Sequence, residues 1–116
     1  MKYYSEEVSG ELRERFEGEV LDWPEVTKRL MFGCPSYQAA GHLFAFLVDR
    51  GVVLTQLRQA ERETLQERYA LSEFEVGERT LHHWIQIPVK SERDLGYVMH
   101  FVRRSYERAL SQTAVP

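Results

Sequence analysis

Leu30-Met31-Phe32-Gly33-Cys34-Pro35-Ser36-Tyr37, followed by Gly41-His42-Leu43-Phe44-Ala45-Phe46-Leu47, decides the fold class. The two runs read as an apolar strand, a kink, a second strand, a turn and a third strand. Gly33-Cys34-Pro35 is expected to form the kink, because proline has no N–H to give to a sheet ladder. Ala40-Gly41 is a hairpin-length break whose glycine tolerates positive φ. The third strand, His42 to Val48, is apolar throughout, so both of its faces are expected to be buried, Phe44 on one and Phe46 on the other. No grouping of reactive side chains surrounds the stretch.

Working outward, Val26 to Phe32 is predicted as the first strand, Pro35 to Ala39 as the second and Val52 to Leu57 as the fourth. Asp49-Arg50-Gly51 forms the last hairpin break. Short connections of this kind imply an antiparallel meander. Before it, Ser5 to Leu21 places Val8, Leu12, Phe16 and Val20 at successive i, i+4 positions on one helical stripe. Ser5 is the cap and Asp22-Trp23-Pro24 the stop. After it, Gln59 to Ala70 reads as a weak helix with Ala60, Thr64, Leu65 and Tyr69 facing inward. Ser72 to Val76 and Leu81 to Pro88 read as two strands joined through Gly77. In the second of these, Leu81, His83, Ile85 and Ile87 share one face, and His82, Trp84 and Gln86 the other. The closing helix starts at Ser91 and carries a stripe of Leu95, Val98, Met99, Val102, Tyr106 and Ala109. Residues 111–116 read as a frayed tail. The expected class is α+β, with element order α-β-β-β-β-α-β-β-α and one antiparallel sheet carrying helices mainly on one face, a two-layer sandwich.

At 116 residues, with 43% hydrophobic and 28% charged residues, the chain is one globular domain and not a disordered segment. The run from Leu43 to Val48 is far too short to span a bilayer. Met1 to Val20 has no apolar core of the kind a signal peptide needs. With a single cysteine as well, these features point to the cytoplasm. The net charge of −3 removes the simplest case for nucleic-acid binding, a basic domain drawn to phosphates. The charge is uneven, however. Residues 1–25 carry eight acids against three bases, and residues 90–110 carry five bases against three acids. Either two solvated helix faces lie near each other, or the two surfaces complement each other between subunits or with a partner.

Several residues resemble the TfoX N-terminal domain family. They are Lys28-Arg29 before Met31-Phe32-Gly33, Gly41-x-Leu43-Phe44-Ala45 opening the next strand, and Gly77 ahead of Leu81-x-x-Trp84-x-x-x-Pro88, with the amphipathic helix from Asp94 closing the pattern. The likeness runs from about Val20 to Leu110. It implies a two-layer sandwich similar to that of type III secretion chaperones. It also implies a stand-alone, single-domain relative of the first half of a bacterial regulator of competence for DNA uptake. The matching positions are core and turn residues, and the family brings no catalytic set to carry over.

Cys34 sits between Gly33 and Pro35 without a base nearby in sequence, which suits a small structural residue in a turn better than a nucleophile. His82 and His83 are adjacent on a strand and point apart, and no His or Cys pair has zinc-site spacing, so no metal or cofactor is expected. Glu6/Glu7 and Glu17/Glu19 lie on an exposed helix and do not read as an acid–base pair. On the last helix, Tyr97 and Phe101 fall outside the apolar stripe and share a face with Arg93, His100, Arg104 and Arg108. Either that helix packs on two sides within the monomer, or the two aromatics anchor an interface framed by charge. Stacking on single-stranded nucleic acid is the third reading, not favoured by the net charge. The expected function is a non-enzymatic interaction or regulatory domain, forming a homodimer or binding a protein partner. The alternatives are a regulatory module in a competence or nucleic-acid context, or a small-ligand binder or enzyme with a cleft beside Cys34 and His42.

Overall fold

The computed structural model describes residues 2–112. Its elements run α1 (Glu6–Val20), β1 (Val26–Met31), β2 (Cys34–Ala39), β3 (His42–Val48), β4 (Gly51–Leu54), α2 (Gln59–Gln66), β5 (Ser72–Val76), β6 (Arg79–Pro88) and α3 (Glu92–Ser111). The six strands form one sheet in the order β1-β2-β3-β4-β6-β5, with every neighbouring pair antiparallel. The α+β class and the element order are those expected from the sequence. The tail stops being helical at Gln112, and residues 113–116 lie outside the described part.

The hairpins turn where positive φ is placed, and this shifts two expectations. The first turn is Phe32-Gly33, both at positive φ, as two-residue hairpin loops require. Cys34 and Pro35 therefore already belong to β2, opposite Met31 and Leu30. Pro35 is tolerated because the β2–β3 ladder starts only at Ser36–Phe46, so no N–H is missed there. In the third hairpin the positive φ falls on Arg50, at 54°, and not on Gly51. Gly51 is needed for room: a Cβ there would stand 3.0 Å from the Ile87 carbonyl oxygen of the adjoining strand.

The two faces of the sheet are buried differently. On one, Tyr37, Ala45, Leu47, Val52, Leu54, Ile85 and Ile87 are fully covered. Here α3 lies across β2 and β3, and Phe16 of α1 stacks on Tyr37 at 4.9 Å. On the other face, Phe46 meets Phe74 at 4.9 Å and Trp84 at 5.5 Å, and Tyr3 covers Phe74 at 5.3 Å. Phe32 from the β1–β2 turn reaches Phe74 of β5 at 6.3 Å, so the two ends of the sheet curl toward each other over this aromatic cluster. Phe44 and Phe46 do go to different faces, but regular pleating would keep residues two apart together. The register of β3 slips against β2 between Tyr37 and Gln38, leaving Phe44 as an extra residue, and this bulge turns it toward Tyr106 at 5.4 Å. Ser105 of α3 closes the bulge by donating its hydroxyl to the Phe44 carbonyl at 2.7 Å.

Three further elements depart from the expected pattern. In α1, Ser9 leaves helical geometry (φ −123°, ψ 16°), because its hydroxyl is bonded to the Asp49 carboxylate at 3.1 Å and accepts from the Arg50 N–H at 3.0 Å. The helix changes phase there, and Val8 leaves the stripe to become 47% exposed, while Phe16 and Val20 stay in the core. In α2 only Leu65 is buried; Ala60 and Thr64 face solvent and Tyr69 is half-buried. In β6 the pairing with β5 jumps between Glu73–Ile85 and Phe74–Leu81, so both His82 and His83 are exposed and strict alternation fails. β4 ends at Leu54: Thr55 still donates its N–H to the Phe44 carbonyl at 3.3 Å, and Gln56 turns to α3, donating its N–H to Ser105 Oγ at 3.2 Å.

Candidate functional site

The outer face of α3, where an interface was expected, is largely occupied within the monomer. Phe101 is only 6% exposed and belongs to the core. Tyr97 is half-buried, with the Arg68 guanidinium 3.9 Å above its ring and Tyr69 at 5.9 Å. Arg108 forks onto Glu61 of α2 with two bonds of 2.5 Å and donates to the Gln56 carbonyl at 2.7 Å. Burial alone would raise the Glu61 carboxyl, but the Arg108 fork and the Arg58 N–H hold it below the ordinary carboxylate range. Of the six, Arg93, His100 and Arg104 remain exposed, and His100 leans edge-on against Phe101 at 5.3 Å. The sequence could not show that α2 and its flanking segments come back onto Tyr97 and Arg108.

Cys34 and His42 do not share a cleft. They stand at opposite ends of the β2–β3 hairpin, since His42 pairs with Ala39 and Cys34 lies five residues back along β2, roughly 17 Å at strand rise. The Cys34 thiol is fully buried in the sheet rather than semi-buried in a turn. Burial, with the Asp49 charge adding to it, pushes the thiol up to about 11, so it stays protonated at neutral pH. Among the described residues no three His, Cys, Asp or Glu side chains are gathered in the manner of metal ligands. No helix among them is long and apolar enough to cross a membrane.

Two open features remain. The first is the edge strand β1. Thr27, Lys28, Arg29 and Leu30 are all exposed; Leu30 is 75% exposed and neighbouring Phe32 45%. Met31 and Cys34 close the two-residue hairpin, and Glu25 accepts from the Ala40 N–H at 3.0 Å, so alternate residues Lys28 and Leu30 aim their backbone groups away from β2. Lys28 is anchored on Glu17 at 2.6 Å, a carboxylate that also accepts from the Tyr37 hydroxyl at 2.6 Å and from Arg13 at 2.9 Å. Burial opposes ionisation of Glu17, yet these three donors keep its carboxyl below its usual value. β1 is therefore paired with β2 on its inner side and anchored through Lys28, and its outward backbone groups have no partner among the described residues.

The second is a cleft of about 640 Å³ between α1 and the start of α3. Val8 and Leu12 form one wall, Val89 and Leu95 the other, and Arg15, Arg50 and Lys90 stand among them. Periodicity puts Val8 on the buried stripe of α1, and nothing in the local sequence brings Arg50 and Lys90 together. The one available clue was an arginine in a hairpin break beside a glycine. Compared with models of protein families, with curated proteins and with solved structures, the chain matches none.

Proposed function

We propose that this chain is a non-enzymatic interaction domain that binds a protein strand, its own second copy or a partner's, along the open edge of β1. The observation that carries the reading is Leu30, three-quarters exposed on a six-residue edge strand whose outward backbone groups have no bond among the described residues. Sheet edges are usually guarded by charge, brevity or a bulge. Lys28 and Arg29 supply some charge, but the β1–β2 ladder is regular and its end carries Leu30 and Phe32. Strand addition draws affinity from backbone bonds and specificity from alternate side chains, and Leu30 is the anchor such a strand would cover. The buried, protonated Cys34 thiol supports the non-enzymatic part of the reading. Membership of the TfoX N-terminal domain family is proposed with it, on the residues quoted above, and a competence or nucleic-acid role would rest on that likeness alone.

Sedimentation equilibrium at micromolar concentration tests self-association, with dimer mass expected for the unmodified protein. Leu30→Pro removes one outward N–H and leaves the β2 ladder untouched, so it is expected to return the protein to monomer with an unchanged circular dichroism spectrum. A protein that is monomeric, and whose Leu30 amide exchanges freely in the presence of candidate partners, would sink the proposal.

A further inference from the structure

We propose that the cleft between α1 and α3 is a binding site for a small amphipathic carboxylate, an apolar chain ending in a single negative charge. Three observations meet there. First, the cleft is lined by both apolar and basic side chains. Val8, Leu12, Val89 and Leu95 line it together with Arg50 and Lys90, and its volume of about 640 Å³ lies in the range of small-molecule sites. Second, the two cations are uncommitted. Arg15 is paired with Glu92 across the cleft, whereas the Arg50 guanidinium and the Lys90 ammonium have no ion pair or hydrogen bond among the described residues. At the start of α3, Ser91 accepts from the Asp94 N–H and Asp94 from the Lys90 N–H. The proposed charge contact rests on the Arg50 and Lys90 side chains and not on the helix terminus.

Third, Arg50 is held in left-handed geometry that glycine or asparagine would adopt more easily. The surrounding bonds over-determine it: its N–H donates to Ser9 Oγ at 3.0 Å, and its carbonyl accepts from the Val89 N–H at 2.8 Å. These bonds fix the Arg50 backbone beside the cleft in the positive-φ geometry that its two-residue hairpin loop uses. The same Ser9 anchor breaks the phase of α1 and delivers Val8 to the cleft, so one contact sets both the basic and the apolar part of the site. Glu11 and Glu92 also line the cleft, and Glu92 offsets Arg15. Two free cations beside an exposed carboxylate suit one negative charge and disfavour polyphosphates.

Decanoate, below its micelle concentration, is the probe, with decanol and decyltrimethylammonium as charge controls. Titration followed by amide NMR is expected to move the resonances of Val8, Leu12, Arg50 and Lys90 with decanoate, weakly with decanol and not with the cation. Arg50→Gly is the decisive variant. Glycine relieves the backbone, so the variant should melt at a higher temperature while decanoate binding weakens about tenfold or more, the usual cost of losing a charge-assisted contact. Lys90→Gln should weaken it similarly without the gain in stability. The proposal is overturned if decanoate fails to bind at millimolar concentration, if Arg50→Gly binds it as tightly as the unmodified protein, if decanol binds equally well, or if the shifts map to the aromatic face around Phe46.

Discussion

The two flanks of α3 are opposites. Toward α2, the gap beside the helix is filled: Tyr69 and Arg68 close on Tyr97, Glu61 clamps Arg108, and Phe101 is sealed in. Toward α1, the gap stays open as a cleft, because the kink at Ser9 draws the first turn of α1 to the β3–β4 hairpin and leaves Val8 facing space. By hydrophobic periodicity alone, Phe101 belongs outside and Val8 inside. Each instead takes the other's place. Periodicity assumes a straight helix with one buried stripe, and this protein departs from both assumptions. A helix covered on two sides hides residues off its stripe, and a kinked one exposes residues on it.

The contrast can be broken at four points. Phe101→Ala should cost about 3–5 kcal/mol in urea unfolding, the range for deleting a buried aromatic. A loss below about 1 kcal/mol would restore Phe101 to a free surface. Ser9→Ala should cost about 1–2 kcal/mol, since it leaves the Asp49 carboxylate and the Arg50 N–H without their shared partner, and it should close the cleft by straightening α1.

Arg108→Gln comes next, and its signature lies in pH. Glu6, Glu17, Glu61 and Asp94 are all held below their ordinary values, Glu6 at about 2 chiefly by its bond to Arg13. A carboxyl depressed on folding contributes stability that is present above its unfolded value, near 4, and lost as pH falls through the folded one. The unmodified protein should therefore lose melting temperature steadily between pH 5 and pH 2. Removing the Arg108 fork should shrink the part of that loss due to Glu61, leaving a flatter curve in the same calorimetric scans. Smallest of all, Val8→Thr should change stability by no more than about 0.5 kcal/mol, as for an exposed site. A loss above about 1.5 kcal/mol would return Val8 to the core.

What was legible in the sequence follows from which interactions are local. Element order, the stripe from Leu95 to Ala109 and the apolar run of β3 depend on neighbours three or four residues away, or on strand alternation, and these were read correctly. The places of Phe32 and Cys34 differ from expectation because Phe32, which has no preference for positive φ, nevertheless takes the turn. The phase of β3 was hidden by a bulge held by Ser105, a residue 61 positions from Phe44. Both candidate sites were illegible for the same reason. The edge at Leu30 depends on where β1 falls in the strand order, and the cleft depends on a serine bonded to a turn 40 residues later. No window of local sequence contains either.

The stitching of the N-terminal segment bears on how the molecule is made. Tyr3 accepts from the Asp49 N–H through its carbonyl, its hydroxyl accepts from the Gly77 N–H, and Ser5 and Ser9 both donate to the Asp49 carboxylate. During synthesis, residues 3–9 have none of these partners until Asp49 and then Gly77 follow them. Ser5 and Ser9 wait, exposed, until residue 49 has been added, and the Tyr3 hydroxyl until residue 77. The β1–β2–β3 meander, whose partners are close in sequence, is free to pair first, and the N-terminal segment docks on it afterwards. A chain stalled shortly after Val48 would present that unguarded β1 edge with its own first helix still undocked.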